Sequence, residues 1–250
     1  MSNKILYINQ LNKTYPGNSR QIISGLDMTI HAGEIFGFLG PNGAGKTTTV
    51  NIISGLLSPD SGTVCLFDRD YKTDRQYIKQ HLGIVPQNIA LFPELTAVEN
   101  LRIFGNIYGI PHAELNKRIY NYLELYGLTE CAKKKVSTFS GGMKRSINLI
   151  IGVLHNPDLL ILDEPTVGID VQSKKIIIDS LLEMNRNGMT ILYTSHDMEE
   201  AESFCSKVGI IDNGKLIAED TPQNLILSYP ACRELEDVYL HLTGRKLRNI

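Results

Sequence analysis

Short apolar runs alternate with amphipathic stretches along most of the 250-residue chain. Residues 34–39, 159–162 and 190–194 form apolar runs bounded by polar residues. Strands buried on both faces of a parallel sheet have this pattern. Residues 46–54 are predicted to form the helix that follows the first of these strands. The alternation predicts an α/β fold with a mostly parallel core sheet.

A longer helical stretch interrupts this alternation. Between residues 98 and 128, polar side chains recur among apolar ones at helical spacing, which predicts a helical insertion in the α/β core. Two further strands, 207–211 and 215–218, flank Asp212, Asn213 and Gly214 and predict a hairpin.

The chain is predicted to contain one domain and a short tail. We place the domain at residues 1–222, with a helical subdomain at roughly 88–157. After Pro222 the pattern predicts helices, and 223–250 is too short to form a domain of its own.

The charge balance narrows the class of partner. The formal net charge is −2, with acidic and basic residues mixed along the chain, and 42% of the residues are hydrophobic. This argues against a nucleic-acid binder, which would need a basic stripe. The basic runs at 133–135 and 244–248 are expected to be solvated surface.

Cysteine spacing and hydropathy indicate the compartment. The four cysteines lie far apart without a C-x-x-C pair, so neither a zinc site nor a disulfide framework is expected. The first residues lack the apolar core of a signal peptide. The apolar run at 149–154 is far shorter than the roughly 20 residues that span a bilayer. We therefore expect a cytoplasmic protein that reaches a membrane only through a partner.

A glycine-rich loop follows the first predicted core strand. It matches G-x-x-x-x-G-K-[ST] at Gly40, Pro41, Asn42, Gly43, Ala44, Gly45, Lys46 and Thr47. The glycines let backbone N–H groups turn towards phosphate oxygens, and the next helix points its N-terminus at the same anion. Lys46 is expected to reach the β- and γ-phosphates, Thr47 to bind Mg²⁺ and Thr48 to bond the α-phosphate. The loop predicts a nucleoside triphosphate site.

Two carboxylates follow the buried run at 159–162. Asp163 is predicted to hold Mg²⁺ through a water, and Glu164 to act as the general base for the attacking water. The alternative is a polar strand end exposed to solvent. The phosphate loop disfavours that alternative, because P-loop enzymes place the magnesium carboxylate at a strand end.

The sequence of residues 139–145, Phe-Ser-Gly-Gly-Met-Lys-Arg, resembles the signature motif of ATP-binding cassette (ABC) proteins, usually written LSGGQ. Other motifs of the family occur along the chain in the expected order. Tyr15 resembles the aromatic residue that stacks on adenine, Gln87 the Q-loop glutamine and His196 the switch histidine. Residues 168–170 resemble the D-loop. The resemblance runs from about residue 5 to residue 222.

The resemblance implies a shared ATP site. Ser140, Gly141 and Gly142 would present a helix N-terminus to the γ-phosphate held by a second cassette, and Asp170 would also lie at that interface. A P-loop NTPase fold with an N-terminal antiparallel β subdomain and a helical, signature-bearing subdomain is implied. The implied catalytic residues are Glu164, His196, Gln87 and Lys46. The implied magnesium contacts are Thr47, Gln87 and Asp163.

The signature departs from the family pattern at Phe139 and Met143, and Ile169 replaces the common leucine of the D-loop. This form of the motif is similar to cassettes that serve multidrug, antibiotic or lipid exporters. The resemblance therefore implies a peripheral membrane ATPase, in a homodimer or heterodimer of cassettes, that drives separate transmembrane permease subunits. Three alternatives are open: an importer ATPase, an ABC ATPase working on ribosomes or DNA ends, and a nucleotide-gated adaptor without turnover.

Overall fold

Two β-sheets organise the described residues of this computed structural model, which are 4–17 and 20–244. The strands are β1 (Lys4–Lys13), β2 (Ile23–His31), β3 (Ile35–Leu39), β4 (Ser61–Leu66), β5 (Arg69–Asp70), β6 (Leu82–Val85), β7 (Leu159–Asp163), β8 (Thr190–Ser195), β9 (Lys207–Asp212) and β10 (Lys215–Asp220). The helices are α1 (Lys46–Ile53), α2 (Tyr71–His81), α3 (Ala97–Ile107), α4 (His112–Leu125), α5 (Gly141–Val153), α6 (Val171–Arg186), α7 (Met198–Phe204), α8 (Pro222–Ser228) and α9 (Leu235–Thr243).

The larger sheet has the strand order β10-β9-β3-β8-β7-β6 and is parallel except at β10. The smaller sheet, β2-β1-β4-β5, is antiparallel. Both sheets confirm the predicted fold class. Because β6, β7, β8 and β3 run in parallel, the segments that follow them emerge at one edge of the larger sheet.

The larger sheet separates two apolar clusters. Along β7, Leu159 and Ile161 face the cluster shared with the smaller sheet, while Leu160 and Leu162 face the cluster shared with helices α3 to α9. All four side chains are fully buried. Burial on both faces explains why the strand reads as a continuous apolar run.

The helical insertion is confirmed with small changes of boundary. It consists of α3 and α4, so helix begins at Ala97 rather than 98 and ends at Leu125, with a break between them. Thr96 and Glu99 form a capping box at the start of α3. The Glu99 N–H donates to the Thr96 hydroxyl, and the Thr96 N–H donates to the Glu99 carboxylate. These two bonds fix where the helix begins.

The predicted hairpin is formed by β9 and β10. Its two connecting residues, Asn213 and Gly214, have φ values of 48° and 77°. Positive φ at both positions is what a type I′ turn requires, and Asn-Gly is the favoured pair.

The C-terminal helices pack against the rest of the chain. Leu225 of α8, with Leu235 and Val238 of α9, belongs to the same apolar cluster as the parallel sheet. Pro222 is the first residue of α8, so the division placed at residue 222 falls at a helix start. That division stays a prediction. Within the basic run predicted at 244–248, residues 245–248 lie outside the described part, as do residues 1–3.

No helix in residues 4–17 and 20–244 is long and apolar enough to cross a bilayer. The four cysteines are free thiols, and Cys205 is buried. Lys133, Lys134 and Lys135 are exposed, as predicted for a solvated run.

Candidate functional site

The phosphate loop lies between β3 and α1 and is shaped by close backbone approach. A Cβ at Gly40 would lie 2.2 Å from the Ile211 carbonyl oxygen, so only glycine fits there. Gly45 caps α1 with φ 113°, a conformation that favours glycine. The helix has no side-chain cap and no acidic residue in its first turn. Its first N–H groups therefore present positive charge without a competing carboxylate.

Lys46 is buried in this loop and faces the acidic strand end. Its Nζ donates to the carbonyl oxygens of Gly40, at 2.7 Å, and Pro41, at 3.2 Å. The same nitrogen lies 3.1 Å from Glu164 Oε1. Burial lowers the pKa of Lys46, and the nearby carboxylates of Glu164 and Asp163 oppose that shift.

The two predicted carboxylates end β7 and are nearly buried. Thr194 Oγ1, on the neighbouring strand β8, donates to Asp163 Oδ1 at 2.7 Å. The Glu164 N–H approaches Thr194 twice, at 3.2 Å from its carbonyl oxygen and 3.1 Å from Oγ1. Asp163 is 3% and Glu164 6% exposed, so neither is a solvated strand end.

Three side chains surround the Glu164 carboxylate. Lys46 approaches one of its oxygens, and Gln87 Nε2 donates to the other at 3.3 Å. His196 Nδ1 lies 3.4 Å from Glu164 Oε1, which is a contact rather than a good hydrogen bond. Lys46 follows the loop after β3, while Gln87 and His196 follow β6 and β8. Residues far apart in sequence thus meet at one sheet edge.

Lys46, Gln87 and Glu164 open onto one cleft, whose described lining does not include His196 or Asp163. The described residues that line it are Tyr15, Ile22, Asn42, Gly43, Gly45, Lys46, Thr47, Thr48, Gln87 and Glu164. Tyr15 is half-buried at the cleft wall, and its hydroxyl lies 3.3 Å from Thr48 Oγ1. Thr47 also lines the cleft and is exposed.

The signature and D-loop residues lie next to one another. None of them is among the described residues that line the cleft. Ser140 caps α5 by accepting from Met143 N at 3.2 Å. Helix α5 therefore starts at Gly141, so Ser140, Gly141 and Gly142 lie at a helix N-terminus. Asp170 caps α6 by accepting from Ser173 N at 2.9 Å. A Cβ at Gly142 would lie 2.1 Å from Ser173 Oγ, so Gly142 lets the two helix starts approach.

Two buried polar residues of α5 were not predicted from the sequence. Arg145 Nη1 donates to the Pro86 carbonyl oxygen at 3.1 Å, and Asn148 Nδ2 approaches the same oxygen at 3.3 Å. Pro86 immediately precedes Gln87, so α5 holds the loop that carries Gln87. Their spacing of three places both side chains on one face of α5, and this is the sequence signal for a shared partner.

The donor set fits Mg²⁺ bound together with phosphates. No cluster of three or more metal-ligating His, Cys, Asp or Glu residues occurs in the described part of the chain. Magnesium is usually held by one or two carboxylates plus substrate phosphates rather than by a full protein cage. The Asp163 carboxylate at the strand end and the Thr47 hydroxyl would supply that kind of partial shell.

A phosphate loop before a helix and two carboxylates at the end of another strand of the same sheet define a P-loop nucleoside triphosphatase. Comparison with known proteins identifies the family. The ABC transporter family model matches residues 23–167. A second model, for an AAA domain described as a putative AbiEii toxin of a type IV system, matches residues 133–202.

Two curated relatives are similar over most of the chain. The linearmycin resistance ATP-binding protein LnrL of Bacillus subtilis is 48% identical over 221 residues, which are 88% of this chain and 70% of that protein. The Nod factor export ATP-binding protein I of Ralstonia nicotianae is 39% identical over 235 residues, 94% of this chain and 73% of that protein.

Solved structures agree. An ATP-binding subunit of an ABC transporter superposes with a TM-score of 0.87 at 27% identity, covering 96% of this chain and 99% of that one. A dimeric cassette in a post-hydrolysis state with ADP and Pi gives 0.78 at 25% identity, covering 86% and 98%. The chain belongs to the ABC transporter family, as an ATP-binding and ATP-hydrolysing subunit.

Proposed function

We propose that this chain powers an exporter and that Glu164 activates the water that attacks the γ-phosphate of ATP. The observation that carries the catalytic proposal is the convergence of Lys46, Gln87 and His196 on the buried Glu164 carboxylate. A carboxylate placed among these groups, beside a phosphate loop, is positioned for general base catalysis.

ATP would be held by the phosphate loop and α1. The N–H groups at the start of α1 would bind phosphate oxygens, and Lys46 would pair with the β- and γ-phosphates. Tyr15, at the cleft wall, would stack on the adenine and contribute about 1–3 kcal/mol if it resembles stacking on single-stranded bases. Thr48 would bond the α-phosphate.

Thr47, Asp163 and Gln87 would hold Mg²⁺. The ion, when bound, neutralises charge that develops on the β- and γ-phosphate oxygens. Thr194 fixes one Asp163 oxygen at 2.7 Å, which would orient the carboxylate towards the ion.

Hydrolysis would require Lys46 to exchange partners. In this structure Lys46 bonds Glu164, whereas on ATP its charge would serve the phosphates. Glu164 would then accept a proton from water while the water oxygen attacks the γ-phosphorus, and the bond to the ADP oxygen would break. His196 would contact the γ-phosphate and brace Glu164.

Subunits of this family dimerise and work with transmembrane permease partners. We propose that Ser140, Gly141 and Gly142 of one cassette bind the γ-phosphate held by another, with Asp170 at the same interface. Gly141 and Ser140 are exposed, so the start of α5 is accessible. In a homodimer this contact would occur twice, related by a two-fold axis.

The segment proposed to face the permease carries several exposed large apolar side chains. Residues 88–110 follow Gln87 and include Ile89, Phe92, Ile103 and Ile107, which are exposed by 36% to 73%. Asn100 organises this region by bonding the Phe92 N–H and carbonyl oxygen. Exposed large apolar side chains close together commonly mark a protein interface.

The printed names of the curated relatives support export over import, since they describe linearmycin resistance and Nod factor export. An importer remains the second candidate. Against an adaptor without turnover, the chain retains Glu164 and His196. Against an ATPase that works on DNA ends, no long insertion separates the motifs.

Replacing the proposed base tests the chemistry. Glu164→Gln keeps the side-chain volume but cannot accept the proton, so kcat is expected to fall about 100- to 10,000-fold while ATP binding persists. Steady-state ATPase assays and ATP titrations on the purified chain give both quantities. Turnover close to that of the parent would assign the base elsewhere.

Drug sensitivity of the source cells tests export. Cells carrying Glu164→Gln are expected to become more sensitive to a membrane-active antibiotic, with linearmycin tested first because of the named relative. Unchanged sensitivity together with lost uptake of a nutrient would favour the importer.

A further inference from the structure

Outside the cleft, a buried carboxylate accepts two hydrogen bonds and pairs with one ammonium group. Glu200, on α7, is 6% exposed. Its Oε1 accepts from Thr166 Oγ1 at 2.8 Å and from the Tyr193 hydroxyl. Burial, together with Glu200, raises the pKa of Tyr193, so its hydroxyl stays protonated and donates.

Lys174, on α6, forms an ion pair with the other carboxylate oxygen of Glu200. Its Nζ lies 2.8 Å from Glu200 Oε2 and 2.9 Å from Asp197 Oδ2, so one ammonium bridges two carboxylates. Burial acts to lower the pKa of Lys174, but the bonds to Glu200 and Asp197 outweigh it and raise the pKa. The lysine is therefore charged in this arrangement.

The bonds of Glu200 and Lys174 join three chain segments that carry proposed site residues. Thr166 follows Glu164 by two residues, and Asp197 adjoins His196. Lys174 lies one turn into α6, and its N–H donates to the Asp170 carbonyl oxygen at 2.9 Å. A shift in any one of these segments therefore strains its bond to the others.

We propose that Lys174 and Glu200 are positioning residues that set where His196 and the segment from Glu164 to Asp170 lie relative to each other. The proposal rests on the proposed catalytic roles of Glu164 and His196. Stability alone is a poor explanation for this network, because buried ion pairs often add little over apolar packing. A fixed spacing between reacting groups, in contrast, strongly affects the rate of chemistry.

The test removes both charges together. In Lys174→Met with Glu200→Gln, no buried charge is left unpaired, and the introduced amide oxygen would still be able to accept from Thr166, so the chain is expected to fold. Lys174→Arg keeps a cation that is able to reach both carboxylates. The matched control is Lys175→Met, the exposed neighbouring lysine on the same helix. For each protein, kcat, the ATP dissociation constant and the thermal unfolding midpoint are measured.

The double variant is expected to lose about 10- to 100-fold in kcat, the scale on which misplaced catalytic groups act, with ATP affinity unchanged within threefold. Lys174→Arg is expected to keep kcat within threefold of the parent, and Lys175→Met to match the parent. A double variant with kcat within twofold of the parent overturns the proposal. So does a fall in ATP affinity as large as the fall in kcat, or a Lys174→Arg variant as slow as the double variant.

Glu164→Gln, assayed beside them, separates this proposal from the one on which it rests. If Glu164→Gln keeps parental turnover, the proposed base is wrong whatever Lys174 does. If Glu164→Gln is inactive and the double variant is normal, the positioning proposal alone fails.

Discussion

At the scale of single residues, the backbone of Glu164 is unusual. Its φ is 48°, in the left-handed region that costs a non-glycine residue on the order of 1–3 kcal/mol. The two approaches of its N–H to Thr194 hold this conformation. Because the backbone turns at Glu164, directly after β7, the two consecutive carboxylates contact different partners. Asp163 accepts from Thr194, while Glu164 contacts Lys46 and Gln87.

Removal of the Lys46 charge is expected to abolish tight ATP binding. In Lys46→Ala, the phosphates lose a charge-assisted partner, and affinity should fall at least about 100-fold, equal to about 2.7 kcal/mol. Titration calorimetry with Mg-ATP measures the change. Lys79→Ala, an exposed lysine on α2, is the control. Retained tight binding by Lys46→Ala would refute the role given to this lysine.

His155 makes stability depend on pH. Its ring stacks on Tyr108 at 3.7 Å between centroids, and its Nε2–H donates to the Leu82 carbonyl oxygen. Burial lowers the pKa of His155 to about 4, with Arg118 and His81 adding smaller effects in the same direction. Between pH 6.5 and 4 the unfolded chain binds the extra proton, so this residue destabilises the fold as pH falls.

His155→Phe is therefore expected to gain stability relative to the parent as the solution is acidified. Phenylalanine keeps the stacking on Tyr108 but cannot take up a proton. The difference in unfolding free energy should shift by about 1–2 kcal/mol between pH 7 and pH 4.5, allowing for solvent screening of a partly exposed ring. Denaturant titrations at both pH values give the difference. If the unfolding free energies of the parent and of His155→Phe change equally with pH, His155 does not cause the pH dependence.

At the scale of elements, the parallel strands β6, β7, β8 and β3 decide where the chemistry lies. Their registers bring Asp163 opposite Thr194, and Leu39 opposite Ser195. The residues after each strand therefore start from one edge, as ligand sites in open α/β sheets do.

Close packing of β6 against α5 is expected to be intolerant of a methyl group. A Cβ at Gly83 would lie 2.2 Å from the Gly152 carbonyl oxygen, which is backbone and cannot rotate away. Gly83→Ala should destabilise the fold by about 1–3 kcal/mol, as overpacked cores do.

Gly105→Ala is the matched comparison, because its Cβ would meet the Leu115 side chain, also at 2.2 Å. Leucine is able to change rotamer, and alanine favours helix α3 by about 1 kcal/mol, so the loss should be smaller. Urea denaturation of both variants and the parent measures which substitution costs more unfolding free energy. A Gly83→Ala protein as stable as Gly105→Ala would show that the strand and helix are able to separate without cost.

Sequence pattern predicted these elements because their signals are local. The run at 159–162 is β7 but for Asp163, and Asn213-Gly214 forms the expected turn. The contacts of Arg145 with Pro86, and of Lys174 with Glu200, were not predicted. They join residues 59 and 26 positions apart, and no local spacing encodes which polar groups meet across a core.

The candidate site was predictable to a similar extent. The order of the motifs identified Lys46, Gln87, Glu164 and His196, and the structure brings these four together. The bond between Lys46 and Glu164 was not predicted. It depends on how far a loop after β3 lies from the end of β7, which is a property of the sheet.

At the scale of the whole molecule, the two parts of the proposed ATP site do not line the same cleft among the described residues. The phosphate loop opens onto the cleft, while Ser140 and Asp170 lie at helix starts outside its described lining. In the proposed site, a second chain would bring a signature to the cleft. We therefore predict that ATP controls association.

The most direct measurement is the mass of purified Glu164→Gln protein with and without Mg-ATP, by size-exclusion chromatography with light scattering. The account predicts a monomer without nucleotide and a dimer with it, because slow hydrolysis preserves the shared ATP. Ser140→Arg in the same background should bind ATP and remain monomeric, since the larger cation blocks the start of α5. A Glu164→Gln chain that binds ATP and stays monomeric, or a dimer that Ser140→Arg leaves intact, would contradict the shared site.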